Sequence, residues 1–360
     1  MNRPTSLYLD LVRFLAAMMV FLAHASEGRW SDGLLWQIRP YGLESVVVFF
    51  VLSGFVIGYA SEERERSAKT YAVNRMARVY SVTIPALLLT FCLDAIGIRA
   101  DPSLYLNWVG YVPGQVTWQL LNGILFTNQI WFNHVQPGTS GAYWSMGYEV
   151  PYYVAYGIAA FAPRRWGLAG AVAVMVIAGP SIAALFPMWL LGLASYRLCA
   201  RRPLGARAGM ALWAASIVAL AVVEIPPSHG RLDFDPFAVT PVMLRDMLHF
   251  YLVAILFAAN VIGFRGASPL LGAPLDRASR AIRWGGQRTF ALYLFHTPII
   301  QFIVAVMPWP PGSWITRGLV FIGVPAIVFA LAEFTERRKE SWRKLFAAML
   351  GGTSPRNAAP

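Results

Sequence analysis

The sequence has few charged residues for its length. They make up 13% of the 360 residues, whereas hydrophobic residues make up 57%, and the mean hydropathy is +0.51. A soluble domain carries about a quarter charged residues, because water must wet its surface. The composition therefore excludes an ordinary soluble protein and predicts one that is embedded in a membrane.

Cysteine and histidine are also scarce. Cys92 and Cys199 lie far apart in apolar runs, which supports no disulfide framework and predicts two small core residues. The histidines show no His-x-x-x-His spacing, and the chain has no Cys-x-x-Cys motif. They are His24, His134, His229, His249 and His296. The spacing therefore predicts no metal site.

No polar linker, low-complexity stretch or internal repeat divides the chain. A transmembrane helix needs about 20 apolar residues. Suitable segments occur near 8–27, 42–60, 80–98, 143–162, 167–182, 184–199, 209–225, 241–262, 289–307 and 315–334. They predict an all-α, polytopic membrane bundle of about ten transmembrane helices. We expect one transmembrane domain over residues 1–340 and a short cytoplasmic C-terminal tail over residues 341–360.

The formal net charge of +12 is explained by the distribution of the basic residues. An even number of spans places both termini on one side, and most lysine and arginine residues fall on that side. Many of them lie in three expected cytoplasmic loops, 62–78, 197–207 and 265–288. Cationic loops are retained in the cytoplasm during insertion, so both termini are predicted to be cytoplasmic. Anionic lipid headgroups of the bilayer are the expected partner of this charge, and nucleic acid is not.

Two segments allow more than one interpretation. The run from Arg3 through Ala23-His24-Ala25 resembles a signal peptide cleaved near Ser26, but Asp10 intrudes, and we favour a retained transmembrane helix. The apolar stretch 118–132 could pass for another span. Counting it would move the later basic loops outside, so we interpret it as interfacial or re-entrant.

Ionisable residues at membrane depth usually face a cavity or a partner. Arg13 and His24 are eleven residues apart, which brings them to within about 20° of one helical face. Asp10 lies one turn before Arg13, and this spacing predicts an ion pair. One stripe would then carry a charged pair and an imidazole. Alternatively, Arg13 snorkels to the headgroups and His24 only binds a neighbouring helix.

Glu149 is the acidic residue that most needs a partner. It lies one turn after Ser145, near the start of a predicted span. We expect it to contact His24, at a similar predicted depth, since a carboxylate fixes the tautomer of a histidine and raises its basicity. The alternative is a glutamate that is simply solvated at the interface.

Two further positions carry candidate chemistry. Arg75 and Arg78 lie one turn apart, and paired guanidinium groups suit phosphates, although such a pair usually signals topology alone. His296 precedes Pro298 in the middle of a span. It either binds the backbone carbonyl that the proline frees or has a direct catalytic role.

Five motifs in this order resemble those of the integral-membrane acyltransferase-3 family, whose members are O-acyltransferases acting on polysaccharides and related acceptors. They are the helix 9–17 with Arg13 and His24, the segment 48–57 with Ser53-Gly54, Arg75-x-x-Arg78, Trp144–Glu149 and Tyr293–Pro298. The small Ser53-Gly54 pair is also expected to let a neighbouring helix approach closely. The resemblance spans most of the chain.

The resemblance implies transfer of an acyl group, expected to be acetyl, from cytoplasmic acyl-coenzyme A to a hydroxyl of a carbohydrate or glycolipid acceptor. It assigns His24 and Glu149 to catalysis. It assigns donor binding to Arg13, Arg75 and Arg78, and substrate binding to Ser145, Trp144 and His296. It also implies no permanently bound cofactor and a multi-pass protein of the bacterial inner membrane. A transporter without chemistry is the alternative, and consumption of acyl-coenzyme A distinguishes the two.

Overall fold

The computed structural model describes residues 1–108, 111–224 and 240–351, and all regular secondary structure in these ranges is helical. The numbered helices are α1 (Arg3–Ala25), α2 (Tyr41–Glu63), α3 (Ala68–Ala100), α4 (Val116–Leu125), α5 (Met146–Phe161), α6 (Arg164–Ala178), α7 (Pro180–Arg201), α8 (Ala206–Val223), α9 (Pro241–Arg277), α10 (Ser279–Gly286), α11 (Thr289–Val306), α12 (Trp314–Gly318, the π-helical turn Leu319–Gly323 and Val324–Phe334) and α13 (Lys339–Met349). Short helical turns at Gly28–Ser31, Trp36–Ile38, Pro102–Leu106, Gly141–Ser145 and Glu336–Arg338 connect them. The predicted all-α class is confirmed. His229 lies outside the described residues.

Eight helices in the described ranges are long and apolar enough to cross a membrane. They are α1, α2, α3, α7, α8, α9, α11 and the segment Trp314–Met349, which includes α12 and α13. The other two predicted spans correspond to α5 and α6, which have 16 and 15 residues and fall short of the usual length of about 20. The polytopic bundle is confirmed. The cytoplasmic position of the termini and the division at residue 340 stay predictions.

Two stretches that we expected to be solvated loops are largely helical. The prediction of a loop before the third predicted span is wrong, because α3 already begins at Ala68. The Ser67 hydroxyl caps this helix by accepting the N–H of Thr70 at 3.2 Å. Helices α9 and α10 likewise replace most of the expected loop 265–288. Hydropathy marks the apolar part of a helix, whereas capping residues set its ends.

The apolar stretch 118–132 contains the ten-residue helix α4. Such a helix is about 15 Å long, about half of the hydrocarbon thickness. Its polar residues Gln119 and Asn122 are buried, whereas Trp118 and Leu121 are exposed. The structure therefore agrees with a short helix that does not span.

Helices α2 and α7 approach each other through glycines. A Cβ atom on Gly54 would lie 1.9 Å from the Trp189 carbonyl oxygen, and one on Gly192 would lie 1.9 Å from that of Val51. The expected role of the Ser53-Gly54 pair in close helix packing is confirmed. This approach brings the Trp189 Nε1–H to Ser53 Oγ, to which it donates at 3.1 Å.

Burial identifies the helices that form the centre of the bundle. In the most apolar 18-residue segment of each helix, 83% of the residues of α11 are buried inside the protein, but only 11% of those of α8. The C-terminal helix α13 packs against α3, with Phe346 beside Val73 and Ala77. Cys199 is buried, whereas Cys92 is exposed, so the expectation that both are core residues is wrong for Cys92.

Candidate active site

A cavity of about 460 Å³ opens between α1, α2, α3, α5, α11 and α13. Five of the eight predicted site residues line it: Arg13, Arg75, Arg78, Ser145 and Glu149. Residues that the sequence did not single out, Arg64, Lys339 and Arg343, add further cations. The structure therefore brings together residues from six helices that are distant in sequence.

Arg13 lines the cavity from α1. Its Nη1 lies 3.3 Å from Asp10 Oδ1, and this contact confirms the predicted ion pair. The second oxygen of Asp10 accepts a hydrogen bond from Arg283. Asp10 is thus shared between two guanidinium groups, which leaves positive charge in excess at this wall.

Arg75 and Arg78 differ in how far their charge is compensated. Arg75 Nη2 lies 2.7 Å from Glu65 Oε1, and Glu65 is only 3% exposed. Arg78 forms no salt bridge within the described ranges, although Tyr153, Glu336 and Glu149 interact with it electrostatically. Arg78 is therefore the more available cation of the pair.

The expected contact between Glu149 and His24 is wrong. Glu149 Oε1 instead accepts the hydroxyl of Ser53 at 2.7 Å and the hydroxyl of Tyr153. Trp189 donates to the same Ser53 hydroxyl. A polar network of α2, α5 and α7 thus holds Glu149, in place of the expected histidine.

His24 pairs with His296. His24 Nδ1 lies 2.9 Å from His296 Nε2, and His296 Nδ1 lies 2.8 Å from the carbonyl oxygen of Leu292. A carbonyl only accepts, so His296 carries its proton on Nδ1 and accepts on Nε2. His24 must then donate from Nδ1, which leaves its Nε2 without a proton. The pair fixes a tautomer in which His24 Nε2 has a free lone pair.

Tyr293 forms the wall between the cavity and the histidine pair. It lines the cavity, whereas His296, one turn further along α11, does not. The Tyr293 hydroxyl donates to Ser145 Oγ at 2.8 Å, and Phe49 packs edge-on against its ring at 5.6 Å between centroids. The histidine pair therefore lies beyond a hydrogen-bonded aromatic wall.

Besides His296, two predicted residues lie outside the lining of the cavity. His24 is partly exposed and lies at the other end of α1 from Arg13, where the charges of Glu27, Arg29 and Arg39 act on it. Trp144 packs edge-on against Tyr148 at 5.3 Å between ring centroids. His24 thus faces charged residues that follow α1, away from the arginines of the cavity.

The sequence analysis missed several polar members of this site. Ser53 was considered only for its size, and Tyr153 lies one turn after Glu149, a spacing that could have identified it. Lys339 and Arg343 carried no distinguishing signal, because they belong to a basic segment at the boundary between the predicted domain and its predicted cytoplasmic tail. Their place in the cavity follows only from the packing of α13 against α3.

Comparison with known proteins adds independent information. The acyltransferase-3 family model, described as an acyltransferase domain, matches residues 6–350. Acyltransferase MdmB of Streptomyces mycarofaciens is 28% identical over 191 residues, which cover 49% of this chain and 46% of that protein. Nodulation protein 10 of Rhizobium leguminosarum bv. viciae is 27% identical over 190 residues, which cover 47% and 48%. The chain thus spans about half the length of these relatives. No solved structure matches.

Proposed function

Because the chain belongs to the acyltransferase-3 family, we propose that it is a membrane O-acyltransferase that uses cytoplasmic acyl-coenzyme A as donor. The expected acceptor is a hydroxyl of a carbohydrate or glycolipid, and acetyl is the expected acyl group. The expected location is the inner membrane of a bacterium. One observation carries the proposal: an arginine-rich cavity and a histidine with a fixed free lone pair lie along the same helix, α1.

The cavity suits the phosphates of the donor. Arg13, Arg78 and Lys339 come from three helices and line one space, and guanidinium groups bind phosphate oxygens through paired hydrogen bonds. Glu65 compensates much of the charge of Arg75. We therefore expect Arg78 and Arg13 to contribute more to donor binding than Arg75.

The histidine pair suits the transfer step. His24 Nε2 takes the proton of the acceptor hydroxyl, and the hydroxyl oxygen bonds at the same time to the thioester carbonyl carbon. The carbon–sulfur bond then breaks, and the coenzyme A sulfur leaves with the proton that His24 returns. Throughout the reaction, His296 Nε2 accepts the hydrogen bond from His24 Nδ1, so that this proton stays on His24. His296 therefore acts as a positioning residue rather than a substrate ligand. In the alternative route, the same lone pair first accepts the acyl group.

Glu149 has a different role in this scheme from the one expected of it. It holds the Ser53 and Tyr153 hydroxyls and supplies a negative charge near Arg78. We propose that this network keeps Arg78 oriented in the cavity. Ser145 binds Tyr293 at the inner wall, where a thioester moving from the cavity towards His24 would pass.

Release of free coenzyme A tests the proposed function. The purified protein in detergent would be incubated with acetyl-coenzyme A, and the wild type compared with His24→Ala. Loss of a general base costs about 10²- to 10⁴-fold in rate, so we expect release to fall by at least about 100-fold. His134→Ala is the matched control, because His134 is exposed and its ring contacts Gln129 at 3.2 Å, outside the proposed site. Unchanged release by His24→Ala, or transport of the acyl donor without its cleavage, would contradict the proposal.

A further inference from the structure

A second cluster of titratable side chains lies apart from the cavity. Glu44 is in the first turn of α2, Glu224 directly follows α8, and His249 lies on α9. His249 Nε2 is 3.4 Å from Glu44 Oε1 and 3.8 Å from Glu224 Oε1. One potential ligand atom from each residue lies within 4.8 Å of the other two. The start of α2, the end of α8 and the first part of α9 therefore converge at this point.

The polar atoms of the cluster lack hydrogen-bond partners in the described part of the chain. Both carboxylate oxygens of Glu44 are buried without a partner, and the residue is only 6% exposed. Glu224 Oε2 and His249 Nε2 are also buried and unpaired. Buried polar groups are almost always hydrogen-bonded, and leaving a carboxylate unpaired is costly. The cluster thus has the composition of a site that a cation would complete.

The separations match the coordination of zinc. Zinc binds imidazole nitrogen and carboxylate oxygen at about 2.0–2.2 Å in a tetrahedron, which places neighbouring ligand atoms about 3.4 Å apart. Two carboxylates and a neutral imidazole would balance the charge of one divalent cation. Calcium and magnesium prefer sites made of oxygen alone, with more ligands. We propose that Glu44, Glu224 and His249 bind a zinc-like divalent transition-metal ion, with water in the fourth position.

The proposed site differs from the sequence-based prediction of no metal site, and the reason lies in what spacing rules can detect. Spacing rules detect ligands that share a helix or a loop, whereas these three come from α2, α9 and the end of α8. The ion would connect α2, which carries Ser53, to the peripheral helix α8. The inference does not depend on the proposed acyl transfer.

Zinc retention by the full-length, tag-free protein in detergent tests the site. The protein would be stripped with EDTA, incubated with zinc chloride and desalted, and its metal content and melting temperature measured. We expect the wild type and His134→Ala to retain stoichiometric zinc and to unfold at a higher temperature with zinc. Glu44→Gln and His249→Ala should lose both effects, because each removes one of three ligands.

The outcomes separate a metal site from a proton-sharing carboxyl pair. A wild type that retains no zinc and shows no rise in melting temperature would overturn the proposal, since a proton shared by Glu44 and Glu224 would then account for their proximity. Equal retention by Glu44→Gln would also overturn it. If the variants fail to fold, zinc retention by the wild type in excess magnesium still tests the proposal. Retained zinc would support a site that contains a nitrogen ligand, whereas displacement of zinc by magnesium would exclude such a site.

Discussion

Arg13 and His24 lie on one helix, but their surroundings differ in charge. Arg13 faces a cavity in which Arg64, Arg78 and Lys339 supply more positive charge than the neighbouring acids compensate. His24 instead contacts a second imidazole, which a backbone carbonyl orients. Binding of a polyanion requires cations in excess, whereas proton transfer at neutral pH requires one fixed, neutral tautomer. We therefore propose that donor binding and chemistry take place at opposite ends of α1.

The largest expected effect comes from breaking the histidine pair without touching His24. In His296→Leu, the Nδ1 proton of His24 loses its imidazole acceptor. The tautomer is then less firmly fixed, even though the backbone of Val20 also interacts with His24, and we expect kcat to fall about 100-fold. The KM for acetyl-coenzyme A should change little, because His296 does not line the cavity. Steady-state release of coenzyme A measures both constants.

His296→Gln is the matched variant for this prediction. Its amide oxygen can accept the same proton, so we expect it to recover about tenfold of the lost kcat. Melting temperatures of both variants check that the buried position tolerates the change. Wild-type kcat in His296→Leu would show that the pairing has no role in the reaction.

The next effect distinguishes the two arginines of the cavity. Arg78→Ala removes charge-assisted hydrogen bonds worth about 1.5–3 kcal/mol, so we expect the donor KM to rise about 10- to 100-fold with little change in kcat. Arg75→Ala should raise it less, because Glu65 already compensates much of that charge. Titration of acetyl-coenzyme A against the rate measures this difference.

Ionic strength offers a control for this second prediction. Phosphate binding by uncompensated cations weakens with salt, so the donor KM of the wild type should rise with added sodium chloride more than that of Arg78→Ala. A larger effect of Arg75→Ala than of Arg78→Ala, at unchanged melting temperatures, would contradict the assignment.

The smallest effect concerns the wall between the two regions. Tyr293→Phe removes the hydroxyl that donates to Ser145 but keeps the ring against Phe49. One hydrogen bond contributes about 1 kcal/mol, so the population in which this side chain is displaced from Ser145 should rise about fivefold. Release of coenzyme A without acceptor should rise by a similar factor. Tyr143→Phe is the control, because the Tyr143 hydroxyl binds the Gly123 carbonyl away from the cavity. Equal effects of both variants would show that Tyr293 forms no specific wall.

Local spacing predicted the parts of the site that one helix determines. The Asp10–Arg13 ion pair and the close packing at Gly54 follow from residues within one helical turn or from a single small side chain. The helical class followed from composition. Helix ends were less accessible, since the Ser67 cap starts α3 well before its apolar part.

The lateral arrangement of the helices could not be predicted. The predicted depth along the membrane normal is similar for His24 and Glu149. Depth alone, however, does not determine which helices are neighbours in the bundle. The structure instead brings His296 to His24 and places Ser53 beside Glu149. Partners separated by many residues in sequence depend on tertiary packing, which no spacing pattern in a single sequence encodes.

Acetyl-coenzyme A binding and coenzyme A release, measured on the same samples of His24→Ala and Arg78→Ala, test the separation of binding from chemistry most directly. The account predicts that His24→Ala binds the donor within about twofold of the wild-type Kd but releases no coenzyme A above about 1% of the wild-type rate. Arg78→Ala should bind at least about tenfold more weakly and still release it at saturating donor. Loss of donor binding in His24→Ala, or retained release by that variant, would contradict the account.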